Sequence, residues 1–126
     1  MKDMKKFITG TLFTLLLLSL CACSGSGLKT GIYLMENKEN SLPTPTITLE
    51  SNNRFSLVYS FLSSYIPMGT YEVKNGKLIL TAEREDQNEY YVFDIDNGTL
   101  IYRQSESTPL PEFAAKEMYD GAVFTQ

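Results

Sequence analysis

The most reactive side chains in this sequence are the thiols of Cys21 and Cys23, which stand in the run Leu20-Cys21-Ala22-Cys23. Catalysis by a serine or cysteine nucleophile normally needs a histidine base, and zinc sites are built largely from histidine and cysteine. The chain contains no histidine. Triad-type catalysis and zinc sites of this kind are therefore excluded, and the spacing of the cysteines indicates covalent modification instead.

The run from Leu20 to Cys23 resembles a bacterial lipobox, in which a branched apolar residue and small residues precede the cysteine that receives lipid. Cys23 follows Ala22, which is small enough for a signal peptidase pocket, whereas Cys21 follows the large Leu20. We therefore predict lipidation at Cys23 and loss of Cys21 with the leader. Bacterial lipoproteins, which this N-terminus resembles, carry two or three acyl chains, and one chain alone would hold a protein only marginally.

The residues before Cys23 have the organisation of a signal peptide. Lys2, Lys5 and Lys6 form a basic start, and Phe7 to Leu20 is an apolar run of 14 residues. A transmembrane helix needs about 20 such residues, so the run is too short to span a bilayer. We predict a lipoprotein signal peptide over 1–22 and a lipidated cysteine with a flexible Gly/Ser linker over 23–27. An ordinary secretory leader followed by a chance cysteine is the alternative.

The rest of the chain, 28–126, is predicted to be one domain, anchored by lipid on the extracytoplasmic face of the cell membrane. From Leu28 onward it carries 8 Lys and Arg residues against 14 Asp and Glu residues, a net charge of −6. Nucleic acid repels such a domain, and no basic stripe or phosphate-binding loop is present, so no nucleic-acid partner is expected. With the cysteine used for the anchor, no internal disulfide can form, and no cofactor is expected.

An internal repeat gives the clearest fold signal. Residues 71–80 match residues 93–102 position by position, and each copy carries Asn-Gly at its centre, as Asn75-Gly76 and as Asn97-Gly98. Asn-Gly between two alternating runs is the strongest short signal for a β-hairpin, because both turn residues must adopt positive φ. Asp94 to Gly98 also resembles the start of a calcium loop, but the spacing is one residue short and the bidentate Glu is missing, so a hairpin is predicted.

Further strands are indicated on both sides of this repeat. Residues 31–35 are a strand candidate, and residues 45–50 and 54–60 alternate with period two, placing Ile47 and Leu49 on one face and Phe55, Leu57 and Tyr59 on another. A short helix is predicted over 112–118 and a last strand over 122–124. Pairing Val123-Phe124 with Ile32-Tyr33 would close the sheet and remove both edges.

The predicted fold is all-β: a small antiparallel up-and-down barrel or strongly curved meander of seven to eight strands, calycin-like, with little helix. A two-sheet sandwich is the alternative.

Several segments are similar to known bacterial proteins. They are Thr-Ile-Thr-Leu at 46–49, Arg-Phe-Ser-Leu at 54–57, Asn-Gly-Lys-Leu at 75–78 and Asp-Gly-Ala-Val-Phe at 120–124. The pattern resembles small lipoproteins of Gram-positive gut bacteria and the extracytoplasmic tail of membrane metallopeptidases of the β-lactam-sensor type. The His-Glu-x-x-His motif of those peptidases is absent. The resemblance implies an accessory domain that senses a ligand or the envelope, without protease activity.

The loop after the third strand candidate is the best place for a ligand, because it is apolar without alternating. It would either cover the mouth of the barrel as a lid or plug one end as core, and the plug is the more ordinary arrangement. An open barrel interior would favour ligand binding, and a filled one would favour docking of a protein partner. The candidate ligand-binding residues are Phe61, Leu62, Tyr65, Ile66 and Met68.

Two other functions are alternatives to ligand binding. A tyrosine-rich surface formed by Tyr90, Tyr91 and Tyr102 would suit an accessory domain that docks a membrane partner, since tyrosine is enriched at interfaces. Alternate tyrosines along strands are more often part of a half-buried sheet, and that is the more ordinary interpretation. An enzyme acting through two carboxylates would need them facing each other across a cleft. Glu72, Asp94 and residues 83–89 lie at turns or outward strand positions, where solvated surface is the ordinary explanation, so no enzymatic activity is expected.

Overall fold

The computed structural model describes residues 28–37 and 43–126, and the predicted leader, Cys23 and linker lie outside these residues. Eight strands, all antiparallel, form a closed barrel with one short α-helix. The prediction of a small all-β barrel is confirmed, and the sandwich alternative was wrong. The elements are β1 (Gly31–Met35), β2 (Thr46–Leu49), β3 (Arg54–Val58), β4 (Met68–Lys74), β5 (Lys77–Ala82), β6 (Glu89–Asp96), β7 (Thr99–Tyr102), a 3₁₀ turn (Gln104–Glu106), α1 (Glu112–Glu117) and β8 (Val123–Thr125).

Each strand pairs with the next along the chain, and β8 pairs with β1 to close the barrel. The predicted register of this closure was wrong by three residues, because Phe124 lies opposite Met35 instead of Ile32, and Thr125 lies opposite Leu34. The strand β8 must also pair with β7, and in that pairing Phe124 lies opposite Leu100. The stagger that a closed barrel imposes on its strands therefore fixes this register, and local sequence does not reveal that stagger.

The two Asn-Gly hairpins form as predicted. Asn75 and Gly76 have φ angles of 55° and 73°, and Asn97 and Gly98 have φ angles of 50° and 80°. Two successive residues with positive φ define a type I′ turn, whose twist matches that of the flanking strands. The registers of β4 with β5 and of β6 with β7 continue directly from these turns.

The barrel interior is filled by its own side chains. The predicted inward positions of β2 and β3 are buried, and the ring of Phe93 lies 5.4 Å from that of Tyr102 and 5.5 Å from that of Phe124, centroid to centroid. Ala114 and Met118, from α1 and the residue after it, complete this core from one end. The largest fully buried side chains are Tyr33, Tyr91, Tyr102, Phe93, Phe124, Ile47, Leu49, Leu57, Leu78, Leu80, Leu100 and Met118.

An up-and-down barrel has two distinct ends. The hairpin end carries the tight turns that follow β2, β4 and β6, and Leu28 leads into β1 from this end. The loop end carries the longer connections that follow β1, β3, β5 and β7, including α1. The apolar segment 61–67 and the acidic segment 83–88 therefore meet at the loop end.

Replacing Gly69 by alanine is expected to lower the free energy of unfolding by about 3 kcal/mol, the upper part of the range for overpacking. Gly69 has no room for a side chain, because an added Cβ would lie 2.0 Å from the backbone oxygen of Thr81 on β5. Gly76→Ala is the matched control. A Cβ at Gly76 meets nothing within 4 Å, so only its positive φ opposes alanine, at a cost of about 1 kcal/mol. Urea unfolding of both variants gives the comparison, and equal losses would contradict the steric account.

Candidate functional site

The apolar loop does not plug the barrel as core. Phe61, Leu62, Ile66 and Met68 are all exposed, with Leu62 at 78% of its full accessible surface, and only Tyr65 packs partly against the core. The expectation that this segment would fill one end was therefore wrong for four of its five large residues. The physical reason is that strand side chains and the α1 segment already occupy the interior, which leaves no space for the loop.

Two serines fold this loop back on itself. The buried Ser60 accepts a hydrogen bond on Oγ from the Leu62 backbone N–H at 3.1 Å. The Ser63 hydroxyl accepts from the Tyr65 N–H and donates to the Tyr65 carbonyl, each at 3.1 Å. Such local bonds from serine to the backbone replace regular structure, and they hold Tyr65 in a fixed direction.

The five candidate residues do not form one site. Tyr65 reaches towards the connection between β5 and β6, where it contacts Glu89. Phe61 lies on the other side and lines a notch of about 460 Å³ with Leu34 and Thr46. Met68 begins β4, opposite Ser56 of β3. The loop therefore contributes side chains to two separate surfaces, a polar cleft and an uncharged outer wall.

The polar cleft, here called the Tyr65 cleft, has a volume of about 570 Å³. The Tyr65 hydroxyl donates a hydrogen bond of 2.7 Å to Oε1 of Glu89, the first residue of β6. The guanidinium carbon of Arg84 lies 4.6 Å from the centre of the Tyr65 ring, and its Nη1 lies 3.8 Å from the same Glu89 oxygen. The residues lining the cleft are Tyr65, Glu83, Arg84, Glu85, Asp86, Gln87, Glu89 and Thr108.

The cleft is built to hold a positive charge. An aromatic face and a carboxylate both attract a cation, and Arg84 supplies such a cation from within the chain. Burial first, and then the hydrogen bond to Glu89, raise the pKa of Tyr65 from its ordinary value of 10.0 to about 12. Tyr65 is therefore a neutral donor at physiological pH.

Alkaline pH is expected to destabilise the fold. The raised pKa of Tyr65 means that the folded state favours the neutral phenol, and burial raises the pKa of Tyr33, Tyr91 and Tyr102 in the same direction. The stabilisation that comes from keeping these phenols neutral is complete below about pH 10, and it is lost as the pH rises from about 10 to about 12. Urea midpoints at pH 8, 10 and 11 should fall in that order, and more steeply for the parent chain than for Tyr65→Phe. Equal slopes would contradict the assignment for Tyr65.

The predicted tyrosine-rich surface does not exist as a single patch. Tyr91 and Tyr102 point into the barrel and are fully buried, whereas Tyr90 points outward and is exposed. Consecutive residues of a strand face opposite sides of the sheet, so Tyr90 and Tyr91 could not share one surface. The interpretation of these three residues as one docking surface was wrong.

The carboxylates of Asp94 and Glu106 form ion pairs on the outer surface of the barrel. Asp94 accepts a hydrogen bond of 2.5 Å from Nε of Arg103 and pairs with Nζ of Lys77 at 3.5 Å, and Lys77 also contacts Glu106. The bond from Arg103 holds the pKa of Asp94 below its ordinary value. Among residues 28–37 and 43–126, no group of three or more acidic, histidine or cysteine side chains is arranged to hold a metal ion. The same residues contain no helix with the length and apolar character needed to cross a bilayer.

The sequence did not reveal the roles of Arg84 and Glu89. Both lie in the acidic segment that was interpreted as a solvated turn, and Glu89 is 24 residues away from Tyr65 along the chain. A useful signal was available, since Arg84 is the single basic residue among the acids of residues 83–89. No family model matches this chain, and no curated protein or solved structure is significantly similar to it.

Proposed function

We propose that this chain is a lipid-anchored, non-catalytic recognition module on the extracytoplasmic face of the cell membrane, and that it binds a cationic envelope ligand or peptide in the Tyr65 cleft. The observation that carries the proposal is the position of Arg84, whose guanidinium stacks on the Tyr65 ring and approaches Glu89. The cleft thus already accommodates a cation, in the geometry that an external amine or guanidinium would adopt.

Arg84 is suited to being displaced. Its side chain is 54% exposed, and its ion pair with Glu89 is long, so the pair adds little to stability. An incoming cation would take over the aromatic face and the Glu89 carboxylate, while Glu83, Glu85 and Asp86 line the same cleft and favour positive charge. Because the filled interior offers no room, recognition takes place on the surface and suits an extended ligand better than an enclosed one.

The anchor in this proposal is the lipidated Cys23, five residues before Leu28. Leu28 enters the barrel at the hairpin end, whereas the Tyr65 cleft lies at the loop end. The recognition site therefore stands at the end of the barrel remote from the point of attachment, where it is open to ligands in the envelope.

The test is thermal unfolding of the mature lipidated chain in nanodiscs against a panel of cell-wall fragments and short peptides. The panel contains pairs that differ only in one amine, free in one member and acetylated in the other. We expect the free amine to raise the unfolding midpoint, since a ligand at a hundredfold excess over its Kd stabilises by about 2.7 kcal/mol. The acetylated member should give no shift.

Two variants locate the effect. Glu89→Gln removes the carboxylate that contacts Tyr65 and Arg84 and should abolish the shift, whereas Glu72→Gln removes an exposed acid on β4, outside the cleft, and should preserve it. A shift that survives Glu89→Gln, or the absence of a shift across the whole panel, would contradict binding in the Tyr65 cleft.

A second candidate function is docking of a membrane protein partner, which the filled barrel interior favours, and one surface feature favours it as well. Leu62 and Ile66 stay exposed on a loop that serines hold in place, and an ordered apolar loop is a common contact element. Crosslinking on intact membranes through a photoreactive residue at Leu62 would capture such a partner. Loss of the crosslinked product on changing Ile66 to Asp would locate the contact.

A further inference from the structure

One outer wall of the barrel is free of charge. Ile32 on β1 lies opposite Thr48 on β2, Thr48 lies opposite Ser56 on β3, and Ser56 lies opposite Met68 on β4. Because each of these residues alternates with buried neighbours, all four point outward. They form a row across four strands in which Ile32 and Met68 are more than half exposed.

A second row lies beside the first, nearer the loop end. Leu34 lies opposite Thr46, and Thr46 lies opposite Val58. Phe61 extends this row, because it lines the same apolar notch as Leu34 and Thr46. The two rows together, here called the neutral wall, combine exposed aliphatic and aromatic groups with small hydroxyl residues, and no charged side chain lies within them.

Most of the negative charge of the domain lies away from the neutral wall. The charged residues that border the neutral wall are Glu50 and Arg54 towards the hairpin end and Glu36 towards the loop end. The acids of the segment after β5, of β6 and of the 3₁₀ turn lie on or beside the other four strands. These acids are Glu83, Glu85, Asp86, Glu89, Asp94, Asp96 and Glu106.

The attachment of the chain brings the neutral wall close to lipid. Eight residues separate Cys23 from Gly31, which opens β1, and they span at most about 28 Å when fully extended. The strand β1 is thus the first element after the anchor, and its outward residues are Ile32 and Leu34. An acidic domain held this close to an anionic surface has lowest energy when its acids face away.

We infer that the neutral wall lies against the bilayer to which the chain is anchored, so that the barrel rests on its side. This inference rests on the lipid anchor of the proposed function. Exposed apolar side chains that alternate with hydroxyl groups suit the interfacial layer of a membrane, which takes up apolar groups to a shallow depth. The charge-bearing strands and the Tyr65 cleft then face the envelope, where a cationic ligand can reach the cleft.

The test measures depth at single positions of the full lipidated chain in vesicles of phosphatidylglycerol and phosphatidylcholine. The thiol of Cys23 is blocked by lipid and Cys21 leaves with the leader, so one introduced cysteine carries the only reactive thiol. Ile32→Cys and Met68→Cys place an environment-sensitive fluorophore on the neutral wall. Tyr90→Cys, at an exposed outward position on β6, is the matched control.

We expect the labels at positions 32 and 68 to be quenched several-fold more by spin-labelled lipid than the label at position 90, and to be shielded from aqueous iodide. Equal quenching at all three positions, with the chain still bound to vesicles, would overturn the inference and leave the anchor intact. Shielding of positions 32 and 68 from both quenchers would also overturn it, because protein would then cover the wall. Failure of the chain to remain on vesicles would overturn both the inference and the proposed anchor.

Discussion

Replacing Cys23 by alanine is expected to abolish incorporation of fatty acid into this chain completely. The thiol of Cys23 is the predicted site of the thioether, and no other cysteine remains once the leader is removed. Each CH₂ group buried in the bilayer contributes roughly 0.8 kcal/mol, so the loss of two or three acyl chains removes nearly all of the membrane affinity. Growth with an alkyne-bearing fatty acid, followed by coupling to a fluorophore and electrophoresis, measures the incorporation.

Cys21→Ala is the matched control for this experiment. Cys21 is two residues away and has the same chemistry, but it follows Leu20 and is predicted to leave with the leader. The label should be retained in this variant at the level of the parent chain. If the label is instead lost in Cys21→Ala and retained in Cys23→Ala, the lipidated residue has been misassigned.

Replacing Phe93 by alanine is expected to lower the free energy of unfolding by about 4 kcal/mol, within the usual range for a large buried aromatic residue. The ring of Phe93 is fully buried and packs at an angle of 88° against Phe124 and at 47° against Tyr102. It thus connects β6 to the two strands, β7 and β8, that complete the barrel. Because domains of this size have about 5–15 kcal/mol of stability, the variant should be close to unfolding at 37 °C.

Urea unfolding followed by circular dichroism gives this free energy, and Tyr90→Ala is the control. Tyr90 is an aromatic residue on the same strand, but it points outward and is exposed, so its loss should cost less than about 1 kcal/mol. Comparable losses in the two variants would mean that β6 does not face the core as described.

The strands and hairpins could be predicted because their signals are local. Asn75 and Asn97 each precede a glycine between alternating runs, and only positive φ at both positions satisfies such a turn. The alternation at Ile47 and Leu49 likewise gave the buried face of β2. Closure of the barrel was also predictable, since the first and last strands would otherwise expose edges.

The register and the candidate site could not be predicted, because both depend on contacts between distant parts of the chain. The position of Phe124 opposite Met35 follows from the stagger of all eight strands. The direction of Tyr65 is set by Ser63, but its partners Arg84 and Glu89 come from another connection of the barrel. Composition alone also could not indicate that Phe61 and Tyr65, four residues apart, would line different surfaces.

The most direct test of an anchored recognition barrel is the intact mass of the mature chain extracted from membranes, with fragmentation of its N-terminus. We expect a chain that begins at Cys23 and carries a diacylglyceryl group on the sulfur, with or without an acyl group on the new amino terminus. A chain that begins elsewhere, or one in which Cys23 bears a free thiol, would contradict the anchor. It would also remove the reason for placing the neutral wall on a bilayer and the Tyr65 cleft towards the envelope.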